Sequence, residues 1–134
     1  MSESSVFESV RASIAESLAV ARDDITPEAR MVDDLGADSL DLVDIIFSLE
    51  RKFGINVRET EFNFLTRLDF SSPEVMKDGY LTGDVVDRLA LWLPGVRDAE
   101  ERDKITPRSL FSMITVAAIC SVVERRLAAD AKRS

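Results

Sequence analysis

The run Asp33-Asp34-Leu35-Gly36-Ala37-Asp38-Ser39-Leu40-Asp41 reads as the end of a loop, a turn at glycine and the start of a helix. Asp38 is a preferred N-cap residue, able to accept from backbone N–H groups that lack an intrahelical partner. Asp41, at the third helical position, suits the reciprocal half of a capping box and the positive end of the helix dipole. The helix is predicted from Ser39 to about Phe53, with Gly54 as its stop. Ser39 is therefore expected to present one exposed hydroxyl at a helix start, where a phosphate would meet free N–H groups. No other serine in the chain has this setting, and Asp38 already supplies the cap.

Working outward, Leu42, Ile45, Ile46, Leu49 and Phe53 form a core-facing stripe on this helix, and Leu40, Val43 and Phe47 widen it beyond what one stripe requires. Two readings stay open: some of these side chains are exposed, or all pack against material further along. Upstream, Ser5 and Glu8 read as a capping box, and Val6, Val10, Ile14 and Leu18 give an amphipathic first helix ending near Ala21. A long loop from Asp23 to Val32 then delivers Leu35 as an apolar plug.

Downstream, residues 58–104 change character. Phe62, Phe64 and Phe70 cluster, and Ser72-Pro73-Glu74 reads as the cap and first turn of a short helix. Thr82 opens another, with Val85, Val86, Leu89, Trp92 and Leu93 on its apolar face and Pro94-Gly95 as its end. After a charged linker, Thr106-Pro107 starts a short helix holding Leu110 and Phe111. The last helix begins near Thr115, with Val116, Ile119, Val123 and Leu127 at core spacing and Arg125 and Arg126 near its C-terminus. No strand-length alternation or internal repeat appears, so the fold class is all-α, and 134 residues suit a single domain over 1–134.

The chain carries 17 basic and 25 acidic residues, a net charge of −8. That balance argues against nucleic acid as a partner and favours basic protein surfaces. Acidity concentrates around Ser39: Asp33, Asp34, Asp38, Asp41, Asp44 and Glu50 lie between Arg30 and Arg51 with no base among them. A single cysteine precludes an intramolecular disulfide, no signal-like start is visible, and a reducing cytoplasm fits. The most apolar stretch, 114–123, is about half a bilayer span, so no stable membrane insertion is expected. Without histidine the chain lacks the commonest general base and transition-metal ligand. Asp34, Gly36 and Asp38 place glycine where a calcium loop needs a ligand, and Cys120 sits on a predicted core helix where a buried thiol is inert.

The residues Asp34-Leu35-Gly36-Ala37-Asp38-Ser39-Leu40, set after a helix and a long loop and followed by a helix through Phe53-Gly54-Ile55, closely resemble the attachment motif of acyl carrier proteins. The resemblance covers residues 5–57 and resumes over Ile105 to Leu127. It implies an acyl-carrier-like four-helix bundle with an inserted helical segment at about 58–104. By the same resemblance, Ser39 bears a covalent 4′-phosphopantetheine arm whose thiol holds acyl groups as thioesters. Asp38 and Leu40 are read by the phosphopantetheinyl transferase, and Asp41, Val43, Asp44, Phe47 and Glu50 form the partner-docking helix. Partners would be acyltransferases and other fatty acid or lipid synthesis enzymes with basic docking surfaces, the carrier itself being a monomer and not an enzyme. Arg51-Lys52 and the insertion depart from the family pattern. Asp33-Asp34-Leu35-Gly36, Asp44-Ile45-Ile46-Phe47 and Lys52-Phe53-Gly54-Ile55 look most like specialised carriers that supply very long acyl chains to lipid A.

Three other readings compete. A stand-alone peptidyl or polyketide carrier would share the motif, and a non-catalytic helical adaptor would never receive an arm. An enzyme working through its carboxylates is the poorest fit. Within the insertion, Phe62, Phe64, Leu65, Leu68 and Trp92 read more readily as a packed subdomain than as a wall for acyl cargo, with a partner-specific docking surface as a third option.

Overall fold

Val6, Val10 and Ile14 bury completely along one face of α1 (Glu3–Leu18), which packs against both α2 (Ser39–Phe53) and the C-terminal helix. The structure is a computed structural model that describes residues 3–56 and 61–133, apart from the side chains of Glu3, Ser4, Ser39, Glu61, Thr66, Lys132 and Arg133. Residues 57–60, where the insertion was expected to begin, lie outside the described residues. Leu42, Ile45, Ile46 and Leu49 form the buried face of α2, and Lys52 clips it to α1 by donating to the Ser9 carbonyl at 3.4 Å and Ser13 Oγ at 3.5 Å. Gly54 ends α2 at φ 66°, a left-handed conformation that any larger residue adopts only at a cost.

After α2 come α3 (Glu61–Thr66), a hairpin of β1 (Met76–Lys77) and β2 (Tyr80–Leu81), α4 (Gly83–Leu89) and α5 (Pro94–Arg97). The bundle then resumes with α6 (Pro107–Ser112) and α7 (Val116–Arg133). Thr106 caps α6 by accepting from the Ser109 N–H at 3.1 Å, with Pro107 at the first helical position, as the sequence implied. The architecture is thus mostly helical: α1, α2, α6 and α7 form the four-helix frame, and the segment between α2 and α6 is inserted into it.

Local details differ from the sequence reading, each for an identifiable reason. Helix α1 starts upstream of Ser5, so Ser5 lies within the helix and not at its cap position, and Glu8 pairs with Arg11 at 2.7 Å. Side chains lean toward a helix N-terminus, so burying Val6 draws the preceding turn into the helix. The same helix stops at Leu18 because Ala19 turns left-handed at φ 55°. Ser72-Pro73-Glu74 forms a turn rather than a helix: Ser72 Oγ accepts from the Glu74 N–H at 3.2 Å, and the Ser72 carbonyl takes the N–H groups of Val75 and Met76. The chain continues into a two-residue hairpin around Asp78-Gly79, both at positive φ as a type I′ turn requires, so the small sheet qualifies the all-α reading.

Helix α4 ends at Leu89, before Trp92 and Leu93, and Pro94 opens α5 instead of terminating a longer helix. The residue before a proline avoids the helical region, and Leu93 is extended at φ −110° and ψ 102°. Helix α7 runs on through the alanine-rich segment to Arg133, leaving Arg125 and Arg126 in mid-helix. Arg126 is buried and paired with Asp130, while Arg125 donates to the Leu91 carbonyl at 3.3 Å and so ties α7 to the insertion.

Insertion and bundle share one cluster of buried side chains. Phe62, 1% exposed, meets Trp92 edge-on at 5.8 Å between ring centroids, and the Arg88 guanidinium lies 4.0 Å over the Phe64 ring. Phe62 and Trp92 therefore belong to the core, not to a cargo wall. Phe62→Ala is expected to lower stability by about 3–5 kcal/mol in one cooperative transition, measured by denaturant unfolding. A separate early transition would show that the insertion folds apart from the bundle.

Candidate functional site

The loop before α2 is fixed to the far side of the bundle. Met31 N–H donates to the Ile114 carbonyl at 2.9 Å, and Val116 N–H donates to that of Ala29 at 3.0 Å, so the junction of α6 and α7 holds the loop. Met31, Leu35 and Ala37 are buried, the Asp34 carboxylate accepts from the Arg30 N–H at 2.8 Å, and Ala37 N–H returns to the Met31 carbonyl at 2.9 Å. This closed turn delivers Asp38 in extended conformation to the start of α2.

The expected capping box is present in both directions. Asp38 Oδ1 accepts from the Asp41 N–H at 2.8 Å and Asp41 Oδ2 from the Asp38 N–H at 3.1 Å, while the Leu42 N–H enters the helix ladder at the Asp38 carbonyl. The first two helical amides, those of Ser39 and Leu40, precede the ladder and have no carbonyl within the helix to meet. Ser39 thus occupies the first position of a capped, dipole-positive helix end; the exposure expected for its hydroxyl lies outside the described residues.

Beyond the cap, α2 presents a stripe. Leu40 (73% exposed), Asp44, Phe47 (41% exposed) and Arg51 are all exposed and recur at helical spacing on one face. Of the residues expected to dock partners, Asp44 and Phe47 lie on this stripe. Asp41 is half-buried with its carboxylate engaged in the cap, and Glu50 and Val43 are half-buried at the stripe's margins. Of the two readings of the broad apolar band the first is realised: Leu40 and Phe47 are exposed, so not every apolar side chain of α2 packs inward, and Val43 is half-buried beside residues of the insertion. Arg51 joins the stripe although the sequence reading set it aside, while Lys52 is turned onto α1.

Val43 lines a groove of about 230 Å³ that begins beside Leu40, the residue next to Ser39. Helix α2 contributes Leu40, Leu42, Val43 and Ile46, and the insertion supplies Leu65, Leu68 and Phe70. Phe111 of α6 completes the lining, whose side chains are all aliphatic or aromatic. For Leu65 and Leu68 the sequence favours a packed subdomain over a cargo wall, yet both line the groove; Phe70 and Phe111 carry no sequence signal for it, because their proximity is a tertiary fact with no local signature. Cys120 is buried on α7, and burial together with nearby Glu124 pushes its thiol up to about 12. It is therefore held protonated and plays no part in this site.

This arrangement fits a prosthetic arm attached at the helix start: the Ser39 and Leu40 amides precede the helix ladder, Leu40 is exposed, and an apolar groove opens beside it. Residues 8–71 match the family model described as a phosphopantetheine attachment site. The chain is 50% identical over 56 residues to the acyl carrier proteins of Helicobacter pylori strains G27 and HPAG1, an alignment covering 42% of this chain and 72% of each relative. The fold and site thus define a phosphopantetheine-bearing carrier rather than an enzyme. The chain belongs to the acyl carrier protein family, which sets aside the reading as an adaptor without a cofactor. Among the described residues no helix is long and apolar enough to cross a membrane.

Asp38→Ala is expected to cost about 0.5–2 kcal/mol, measured as a lower denaturant midpoint with an unchanged slope. Cys120 should resist alkylation at pH 8 in the folded protein and react once the chain is unfolded. Because folding raises this thiol from about 9 to about 12, the unfolded chain gives up its proton first. Stability is then expected to fall as pH rises through that interval, and Cys120→Ala should remove this part of the decline.

Proposed function

We propose that Ser39 is the attachment residue and that the protein carries linear acyl groups to lipid biosynthetic enzymes in the cytoplasm. The observation that carries this reading is the reciprocal Asp38–Asp41 cap, which places Ser39 first in α2 within the residues that match the attachment-site family. When bound, 4′-phosphopantetheine supplies a thiol on which acyl groups are held as thioesters. The chain's own part is positional. Asp38 fixes the backbone at the attachment point, and Leu40 offers an apolar contact to the transferase. The N-terminal amides favour the phosphodiester charge by only about 0.3–1 kcal/mol, so the covalent bond holds the arm and the helix end orients it.

The groove supports an acyl cargo over a peptidyl or polyketide one, since none of its lining side chains carries a hydrogen-bonding group. Each CH₂ it buries contributes about 0.8 kcal/mol. Its volume of about 230 Å³ is below the roughly 300–1,000 Å³ of ordinary ligand pockets, so it shelters a short stretch of chain, and any longer cargo leaves the remainder to the partner's own tunnel. A role with the very long chains of lipid A synthesis is consistent with that division of labour and with the sequence likeness of α2 to such carriers.

Partner enzymes dock, in this reading, on Leu40, Asp44 and Phe47, with Asp41, Val43 and Glu50 alongside. A basic collar on the partner meets Asp44, and Phe47 supplies apolar contact. Electrostatics chiefly speeds encounter and selects partners. Arg51 at the end of the stripe calls for an acidic group on the partner opposite it.

The test is intact-protein mass after incubation with coenzyme A and a broad-specificity phosphopantetheinyl transferase. A gain of one phosphopantetheinyl group in the unmutated chain and none in Ser39→Ala is expected. Failure of the folded protein to gain mass, with the transferase active on another carrier, would overturn the assignment. In the same assay Asp44→Lys should lower the loading rate and flatten its dependence on salt.

A further inference from the structure

The groove beside Ser39 is bounded on one side by α2 and on the other by residues the insertion brings. From Leu40 to Ile46 its lining spans six residue steps of α2, or about 9 Å at the helical rise. Where the insertion meets α6, Phe70 and Phe111 face each other with ring centroids 6.0 Å apart and planes at 79°, an edge-on contact. Both rings are half-buried and both line the groove, so lengthening it in that direction requires parting them.

The backbone around Phe70 is braced. Asp69 Oδ1 accepts from Ser71 N–H at 3.0 Å and Ser71 Oγ at 2.5 Å, and the Asp69 carbonyl accepts from Ser72 N–H at 3.0 Å. Phe70 is therefore held within a hydrogen-bonded turn, not on a free loop. On the opposite side Phe111 stands on α6, whose first turn is fixed by the Thr106 cap. A pair of rings mounted on two constrained supports is suited to act as a stop.

We propose that Phe70 and Phe111 form the chain-length gauge of this carrier: the insertion closes the groove against α6 through this ring pair, which limits how much of a linear saturated acyl chain the protein shelters. The inference rests on the reading of Ser39 as the attachment residue, because the groove is reached from that point through Leu40. The occupant is a hydrocarbon chain tethered at Ser39, recognised by the apolar side chains of a groove that includes Leu40, the next residue in the chain. The insertion, absent from the four-helix frame, thereby gives this carrier a cargo preference of its own.

The experiment loads the full-length chain directly from a series of linear saturated acyl-coenzyme A thioesters with a broad-specificity transferase. Intact mass verifies loading, and the thermal midpoint is read for each chain length. The midpoint should rise by about 3 °C per added carbon while each CH₂ is buried, then level off at a defined length. In Phe70→Ala and Phe111→Ala the plateau should move to longer chains, relative to each variant's own unacylated midpoint. Leu68→Trp, which fills the groove and keeps both rings, should move it to shorter ones and covers the case in which an alanine variant does not fold. Loading with a midpoint indifferent to chain length, or a plateau unmoved in the folded variants, would overturn the gauge while leaving Ser39 as the attachment residue. Absence of loading would overturn both.

Discussion

The apolar band of α2 is wider than its packing against α1 can cover, and the rest of the molecule answers to that constraint. Leu42, Ile45, Ile46 and Leu49 face α1 and the core and are buried. Val43, at the margin, lies against residues of the insertion, and Leu40 and Phe47 remain in water. A helix with such a band ordinarily seeks further burial. Here part of the band is retained as surface, next to the residue proposed for attachment.

The position of that surface depends on the preceding loop. Hydrogen bonds from Met31 to Ile114 and from Val116 to Ala29 anchor the loop to the α6–α7 junction, and the Asp38–Asp41 cap then sets the first turn of α2. The start of α2 is thus fixed from two directions, by tertiary hydrogen bonds upstream and a local cap downstream. The acidic cluster is partly internal in its use: Asp34, Asp38 and Asp41 each satisfy backbone N–H groups, leaving Asp44 as the exposed acid on the outward stripe of α2. Much of the charge in this stretch therefore serves local folding.

Features whose causes lie within a few residues were legible in the sequence. The capping box at Asp38 and Asp41, the stop at Gly54 and the start at Thr106-Pro107 were read correctly because a side chain and a nearby amide decide each one. The hairpin was missed although Asp78-Gly79 is a strong type I′ signal, since two-residue strands leave no room for alternation. The end of α4 was set too late because the effect of Pro94 on Leu93 was given less weight than the apolar period through Trp92. Division of the insertion's apolar side chains into core (Phe62, Trp92) and groove (Leu65, Leu68, Phe70) was beyond pattern reading. It depends on where α6 places Phe111 relative to a turn far earlier in the chain.

The most direct measurement of the central claim, that cargo attached at Ser39 enters a groove built jointly by α2 and the insertion, is a methyl- and aromatic-resolved NMR comparison of the acylated and unacylated full-length protein. The largest shifts are expected at Val43, Ile46, Leu65, Leu68, Phe70 and Phe111, with the buried Phe62 and Trp92 little changed. Shifts confined to Leu40 and the first turn of α2, with the insertion residues unmoved, would contradict it.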